Sequence, residues 1–213
     1  MKTVNQAMQA YMKDHLSLYV FIGVLFVTGV VFGAVIVNAL TLEQNQELSR
    51  HLGNFLQSLD QTNQYDSKQS FQQSLILNMK WILLIWFLGL SVIGLPLIFI
   101  IDFLKGVLIG FTVGYLIGQF SWKGMLFALV SVVPQNLLII PAIFICSVSA
   151  MSFGRYLIKY RFLQQQGSLA VPFRNYVTTT LFVGVVITGV SFYEAFLSPV
   201  LMKWVTPLLV SLG

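Results

Sequence analysis

Charge is scarce in this chain: only 9% of its residues are Asp, Glu, Lys or Arg, against about 25% in an ordinary soluble domain. Cysteine is almost absent. Cys146 stands alone inside an apolar run, which excludes an internal disulfide and leaves the redox compartment open. The only histidines are His15 and His51, and neither belongs to a Cys/His cluster. A metal site needs three or four ligands, so none is expected. No zinc-protease, P-loop or nucleophile-elbow motif and no pair of positioned carboxylates is present. The expectation is a chain with no catalytic residues and no cofactor, not an enzyme. The net charge of +5 rests on 12 Lys and Arg that are too sparse to form a phosphate-tracking stripe, so nucleic acid is not an expected partner.

What is abundant is apolar surface. Hydrophobic residues make up 57% of the 213, and the mean hydropathy is +0.82. A soluble fold of this size cannot hide so much from water. A lipid bilayer removes the problem, and the uncharged runs have the right length for it. Residues 18–40 form a first uncharged run of 23, against about 20 needed to cross the hydrocarbon core as a helix. This run exceeds a signal-peptide core and lacks a small-residue cleavage site. Further spans are expected at 81–101, between Lys80 and Asp102, at 106–122, at 124–154 and at 175–193. Pro96 is expected to kink the second. The 31 residues of the fourth are too many for one straight crossing, and an interruption is expected near Pro134.

The expected fold is therefore all-α: a single polytopic membrane bundle over 1–213 with about five transmembrane helices, one interrupted, plus interfacial amphipathic helices. Val4, Ala7, Met8, Tyr11 and Met12 share one helical face before the first span and predict a short interfacial helix. At the other end, Leu197, Val200, Leu201, Trp204, Val205, Leu208 and Leu209 have helical spacing. An interfacial helix is the expectation there, with a sixth span as the alternative. The polar segment 42–78 contains an amphipathic stretch, with Leu48, Leu52, Phe55, Leu56 and Leu59 on one face. That face either rests on the bilayer or the bundle, or docks a partner. Residues 61–70 are rich in Gln, Asn and Ser and read as a loop.

Lysine and arginine orient the bundle. With the N-terminus in the cytoplasm, the inside holds Lys2, Lys13, Lys105, Arg155, Lys159, Arg161 and Arg174 with Asp14 and Asp102, a net +5. The outside holds Arg50, Lys68, Lys80, Lys123 and Lys203 against five acidic residues, a net of zero. The basic connection 155–174 is then cytoplasmic, and segment 42–78 and the C-terminus are extracytoplasmic.

Three local features remain. Gly106, Gly110, Gly114 and Gly118 recur at i+4, with a shorter stripe at Gly29 and Gly33. Small residues let helix backbones approach in lipid, within the bundle or in a homo-oligomer. Pro134, Gln135 and Asn136, with Pro141 further on, mark a helix break. The two amide side chains are suited to satisfying the carbonyls that proline leaves open, and broken helices also build transport sites. Asp102, Lys105 and Glu194 are read as polar residues at the membrane boundary, with Asp102 and Lys105 pairing there.

Several stretches, in order along the chain, resemble the stage II sporulation protein M family. They are HLSLY at 15–19, GAVIVN at 33–38, GLPLI at 94–98, FLKG at 103–106 with GFTVG at 110–114, PQNL at 134–137 and EAFLSPVL at 194–201. The family's proline-histidine-glycine pattern followed by glutamate is replaced here by Pro134, Gln135 and Asn136, so the polar role of that region does not carry over. The resemblance implies a membrane anchor active during engulfment of the forespore. Such an anchor localises two peptidoglycan-degrading partners, stage II sporulation proteins D and P, at the septum. A transporter or channel component using the break around Pro134 to Pro141 is the alternative.

Overall fold

A computed structural model describes residues 2–60, 67–163 and 169–202. Among these every element is helical: α1 (Lys2–Ile36), a 3-10 turn (Val37–Ala39), α2 (Leu42–Asp60), α3 (Ser67–Gly89), α4 (Gly94–Ser131), α5 (Val133–Tyr156), a π-helical extension (Leu157–Leu163) and α6 (Ala170–Phe196). Five segments are long and apolar enough to cross a membrane: His15–Ala39, Ser67–Gly89, Gly94–Ser131, Val133–Tyr160 and Ala170–Met202. Helices close every backbone hydrogen bond within themselves, which is what lipid demands. The protein is a helical membrane bundle, with the large apolar side chains of its rim turned outward, among them Val24, Val27, Val31, Phe87, Leu181 and Phe182.

The count of five agrees with the uncharged runs, but two boundaries move. The second span is not 81–101. It begins at Ser67 and ends at Gly89, and the chain reverses at 90–93. One lysine does not end a helix, whereas the Gly/Ser-containing stretch from Gly89 to Gly94 does. The reversal is closed by Leu90 N–H to Phe87 O (3.2 Å) and Ser91 N–H to Leu88 O (3.0 Å). Gly94 is required there, because a β-carbon would collide with the Leu88 carbonyl. Pro96 therefore kinks nothing. It lies in the first turn of α4, where its missing N–H would have had no partner.

The third span ends at Ser121, whose φ of 49° and ψ of −127° break α4. Beyond it the chain doubles back, so that Gly124 abuts Leu116, and Phe127 and Ala128 pack with Leu116. Residues 122–131 thus belong to the fourth crossing, which is interrupted at Val132 and resumes as α5 with Pro134 in its first turn. The Val132 N–H still donates to Ala128 O (2.8 Å), so the helix bends at this point instead of ending.

One other expectation changes. The basic connection shrinks: Arg155, Lys159 and Arg161 continue the helix, and Arg174 already lies in α6. Of the expected tail helix only the start is described. Leu197 and Leu201 N–H donate to Tyr193 and Leu197 carbonyls (2.9 and 3.2 Å), extending α6 to Met202. Residues 203–213 and 61–66 lie outside the described residues, as do the side chains of the first 14 residues. There the backbone is helical and continuous with the first span.

α5 sits at the centre. Its residues Ala142, Ile143, Cys146, Val148 and Ala150 are buried against Ile82 and Ile85 of α3, Ile98 of α4 and Ile187 of α6. This large core fills the middle of the bundle and the end at the 90–93 turn. A smaller cluster of Leu116, Phe127, Ala128, Val132 and Met202 occupies the opposite end, joined by Leu52 of α2. α1 stands at the edge, held against α4 by the two glycine stripes. A β-carbon on Gly29 or Gly33 would strike the carbonyls of Phe103 and Val107, and one on Gly106 or Gly110 those of Phe26 and Val30.

Candidate functional site

α2 begins with Thr41 and Gln44 bonded reciprocally: Thr41 N–H to Gln44 Oε1 (3.0 Å) and Gln44 N–H to Thr41 Oγ1 (3.3 Å). This is a capping box, which satisfies two of the free N–H groups at a helix start. The helix is then clipped to α4. Tyr115 Oη lies 2.9 Å from Ser49 Oγ and donates toward Asn45 O (3.2 Å), and Gln119 Nε2 donates to Asn45 Oδ1 (2.5 Å). These bonds turn the amphipathic face inward. Leu48, Leu52 and Phe55 line a cavity of about 530 Å³ between α2 and the bundle. The side chains of Leu56 and Leu59 lie outside the described residues. The described part of that face thus covers the cavity, with Phe55 still 40% exposed. The opposite face, with Glu43, Gln46, Glu47, Arg50 and Asn54, is exposed.

Below the roof, the cavity is walled by α3, α4, α5 and α6. Its polar lining includes Ser74, Ser131, Gln135 and Glu194. Ser74 Oγ donates to the Glu194 carboxylate, and Asn78 Nδ2 donates to Ser74 Oγ (3.3 Å). Glu194 lies in the last turn of α6, within the apolar segment Ala170–Met202, where it is an electrostatic partner of Lys105. The Lys105 ammonium also sits 5.5 Å from the centre of the Trp81 ring, a cation–π contact that gains strength away from water.

Asp102 is likewise misplaced by sequence reasoning. It is fully buried within α4, its Oδ1 accepts from Ser147 Oγ of α5 at 2.9 Å, and its Oδ2 has no partner. It forms no ion pair with Lys105. The missed signal lies in spacing: Asp102 shares a helical stripe with Ile98 and Gly106, both buried. Ionisable groups inside a bundle are costly and mark functional positions.

The helix break divides its polar residues. Asn136 Nδ2 donates to Val132 O at 2.8 Å and Ser131 Oγ to Phe127 O at 2.7 Å, so these side chains satisfy backbone carbonyls at the bend. Gln135 differs: its Oε1 is buried, lacks a hydrogen-bond partner and belongs to a side chain lining the cavity. Pro141 is one turn further on, inside α5, beside a small apolar pocket with Leu138 and Phe182. The glycines serve the α1–α4 contact. A β-carbon on Gly114 would come within 3.0 Å of Ala34 Cα, while Gly118, at the end of the stripe, is loosely packed.

The crossings, the intramembrane charges and the roofed cavity together define a multi-pass α-helical membrane protein whose polar residues converge at the α2 end. A family model described as stage II sporulation protein M matches residues 22–199. The chain belongs to that family, and it is a sporulation-related membrane protein. No curated protein and no solved structure matches it.

Proposed function

We propose that this protein is a non-catalytic membrane anchor that recruits peptidoglycan-degrading partners, stage II sporulation proteins D and P, to the septal membrane during engulfment. The observation that carries this reading is α2. It is an ordered helix outside the five crossings, clamped to the bundle by Tyr115 and Gln119, and it presents a charged, exposed face. A rigid polar surface at the membrane boundary suits a docking role better than a mobile loop, because less ordering is needed on binding. Family membership supports the setting.

The orientation supports the same reading. Lys80 and Lys105 lie deep inside their crossings and count toward neither side, whereas Arg155, Lys159 and Arg174 lie near the ends of theirs. Arg155, Lys159, Arg161 and Arg174 still gather at the end opposite α2. The positive-inside rule favours that end in the cytoplasm and α2 outside, on the side of the wall. The proposed docking surface is the charged face of α2, because Leu48 and Leu52 on its apolar face turn toward the cavity.

The test is recovery of the two partners with a tagged chain from membranes of sporulating cells. Glu43→Lys with Glu47→Lys is expected to reduce recovery of at least one partner severalfold while the bundle stays intact. Wild-type recovery with this variant would move docking away from α2. Absence of both partners from the wild-type complex would overturn the anchor reading itself.

A further inference from the structure

The cavity beneath α2 has a chemistry that anchoring does not use. Its volume of about 530 Å³ lies within the range of roughly 300–1,000 Å³ typical of small-molecule sites. Most of its lining is apolar, with Leu52 and Phe55 above and Phe111, Leu116 and Phe127 at the sides. The large isoleucine-rich core shares no residue with this lining. Water alone would leave these walls without compensating hydrogen bonds.

The polar groups narrow the occupant further. Gln135 Oε1 is a buried acceptor with no partner and calls for a hydrogen-bond donor. The Glu194 carboxylate, which already accepts from Ser74 Oγ, belongs to the same lining. An anionic head would meet that carboxylate, and a cationic head would meet one that already has Lys105 as an electrostatic partner. A neutral hydroxyl satisfies Gln135 and adds no charge. The roof is an amphipathic helix at the edge of the crossings, a position reached by molecules already dissolved in the bilayer.

We propose that this cavity binds a neutral membrane amphiphile, one apolar chain carrying a hydroxyl-bearing head of the monoacylglycerol class, with Gln135 accepting a hydrogen bond from that head. α2 is then the lid of a lipid site as well as an outward surface, and the occupant completes the apolar packing beneath it.

The test uses the full chain in phosphatidylcholine nanodiscs and a monoacylglycerol with a photoreactive diazirine on its acyl chain. Crosslinks are expected at Leu52, Phe111 and Val132, and excess unlabelled monoolein should abolish them in the wild-type protein. Gln135→Leu should lower crosslinking at these positions about fivefold, the worth of one neutral hydrogen bond, and leave labelling of the lipid-facing Val27 and Leu181 unchanged. Ser131→Phe, which fills the space, should remove it. The proposal is overturned if the probe labels only lipid-facing positions, or if a diazirine fatty acid or alkylammonium labels the cavity as strongly. Unchanged cavity labelling in both variants would also overturn it.

Discussion

A β-carbon at Gly110 would occupy the position of the Val30 carbonyl, whereas one at Gly53 would meet nothing within 4 Å. The two glycines therefore predict opposite outcomes. Gly110→Leu forces α1 away from α4 over the whole stripe, and the expected result is loss of monodisperse folded protein on detergent extraction. Gly53 lies inside α2 with no close neighbour, where Gly costs about 1 kcal/mol relative to Ala in a helix. Gly53→Ala should raise the melting temperature of α2 or leave it unchanged, as read by circular dichroism or hydrogen exchange. Tyr176 shows a different economy at the same scale. It is buried, stacked on Phe153 at 5.1 Å, and its hydroxyl donates to Trp86 O at 2.9 Å. The carbonyls at the end of α3 have no helical partners; Leu90 and Ser91 satisfy those of Phe87 and Leu88, and Tyr176 satisfies that of Trp86. Tyr176→Phe keeps the ring stack but strands the carbonyl, at a cost of about 1–3 kcal/mol. A thermal-shift measurement should register that loss, and a melting temperature equal to wild type would refute the capping role.

Among the elements, α2 owes its placement to a few polar links and one apolar side chain. Tyr115→Phe removes the hydroxyl that joins Ser49 and Asn45 to α4. Hydrogen exchange of α2 amides is expected to quicken severalfold while amides of α1 and α4 keep their protection. Equal protection in the variant would mean that the Gln119–Asn45 bond and Leu52 packing suffice to hold the helix. The start of α2 was legible in the sequence, because Thr41, Leu42, Glu43 and Gln44 spell a capping box, as was its apolar face. What covers that face was not legible, since it depends on how Tyr115 and Gln119 of α4 are aimed. The same limit explains the second span. Runs bounded by charge place a boundary at Lys80, yet a lysine can project from a helix flank, as this exposed one does. The true ends are set by backbone geometry at Gly89 and Gly94, which no charge marks. The glycine stripes were readable because close approach has a residue-level signature. Asp102 was not, because its depth is set by the register of α4 against Ser147 of α5, a tertiary quantity.

Across the whole molecule, function depends on which end faces which compartment. The α2 end gathers the cavity, Glu194 and the exposed face of α2. The opposite end gathers Arg155 and Lys159 on the helix that extends α5. An anchor for wall-cutting partners requires the first end outside, and the basic residues at the second agree with retention in the cytoplasm. The single cysteine makes a direct measurement possible. Cys146 is buried at 0% exposure in the central core, so a thiol reagent reports only on cysteines introduced elsewhere. Asn54→Cys and Lys159→Cys place one probe on an exposed position at each end. In intact protoplasts a membrane-impermeant maleimide should label the Asn54→Cys chain and spare the Lys159→Cys chain, which becomes reactive only after permeabilisation. The reverse pattern would invert the bundle, place α2 in the cytoplasm and remove the basis for an extracytoplasmic docking surface. Labelling of both before permeabilisation would mean that the two ends share a compartment. Three of the five apolar segments lie between Asn54 and Lys159, and an odd number of crossings predicts opposite sides for the two probes.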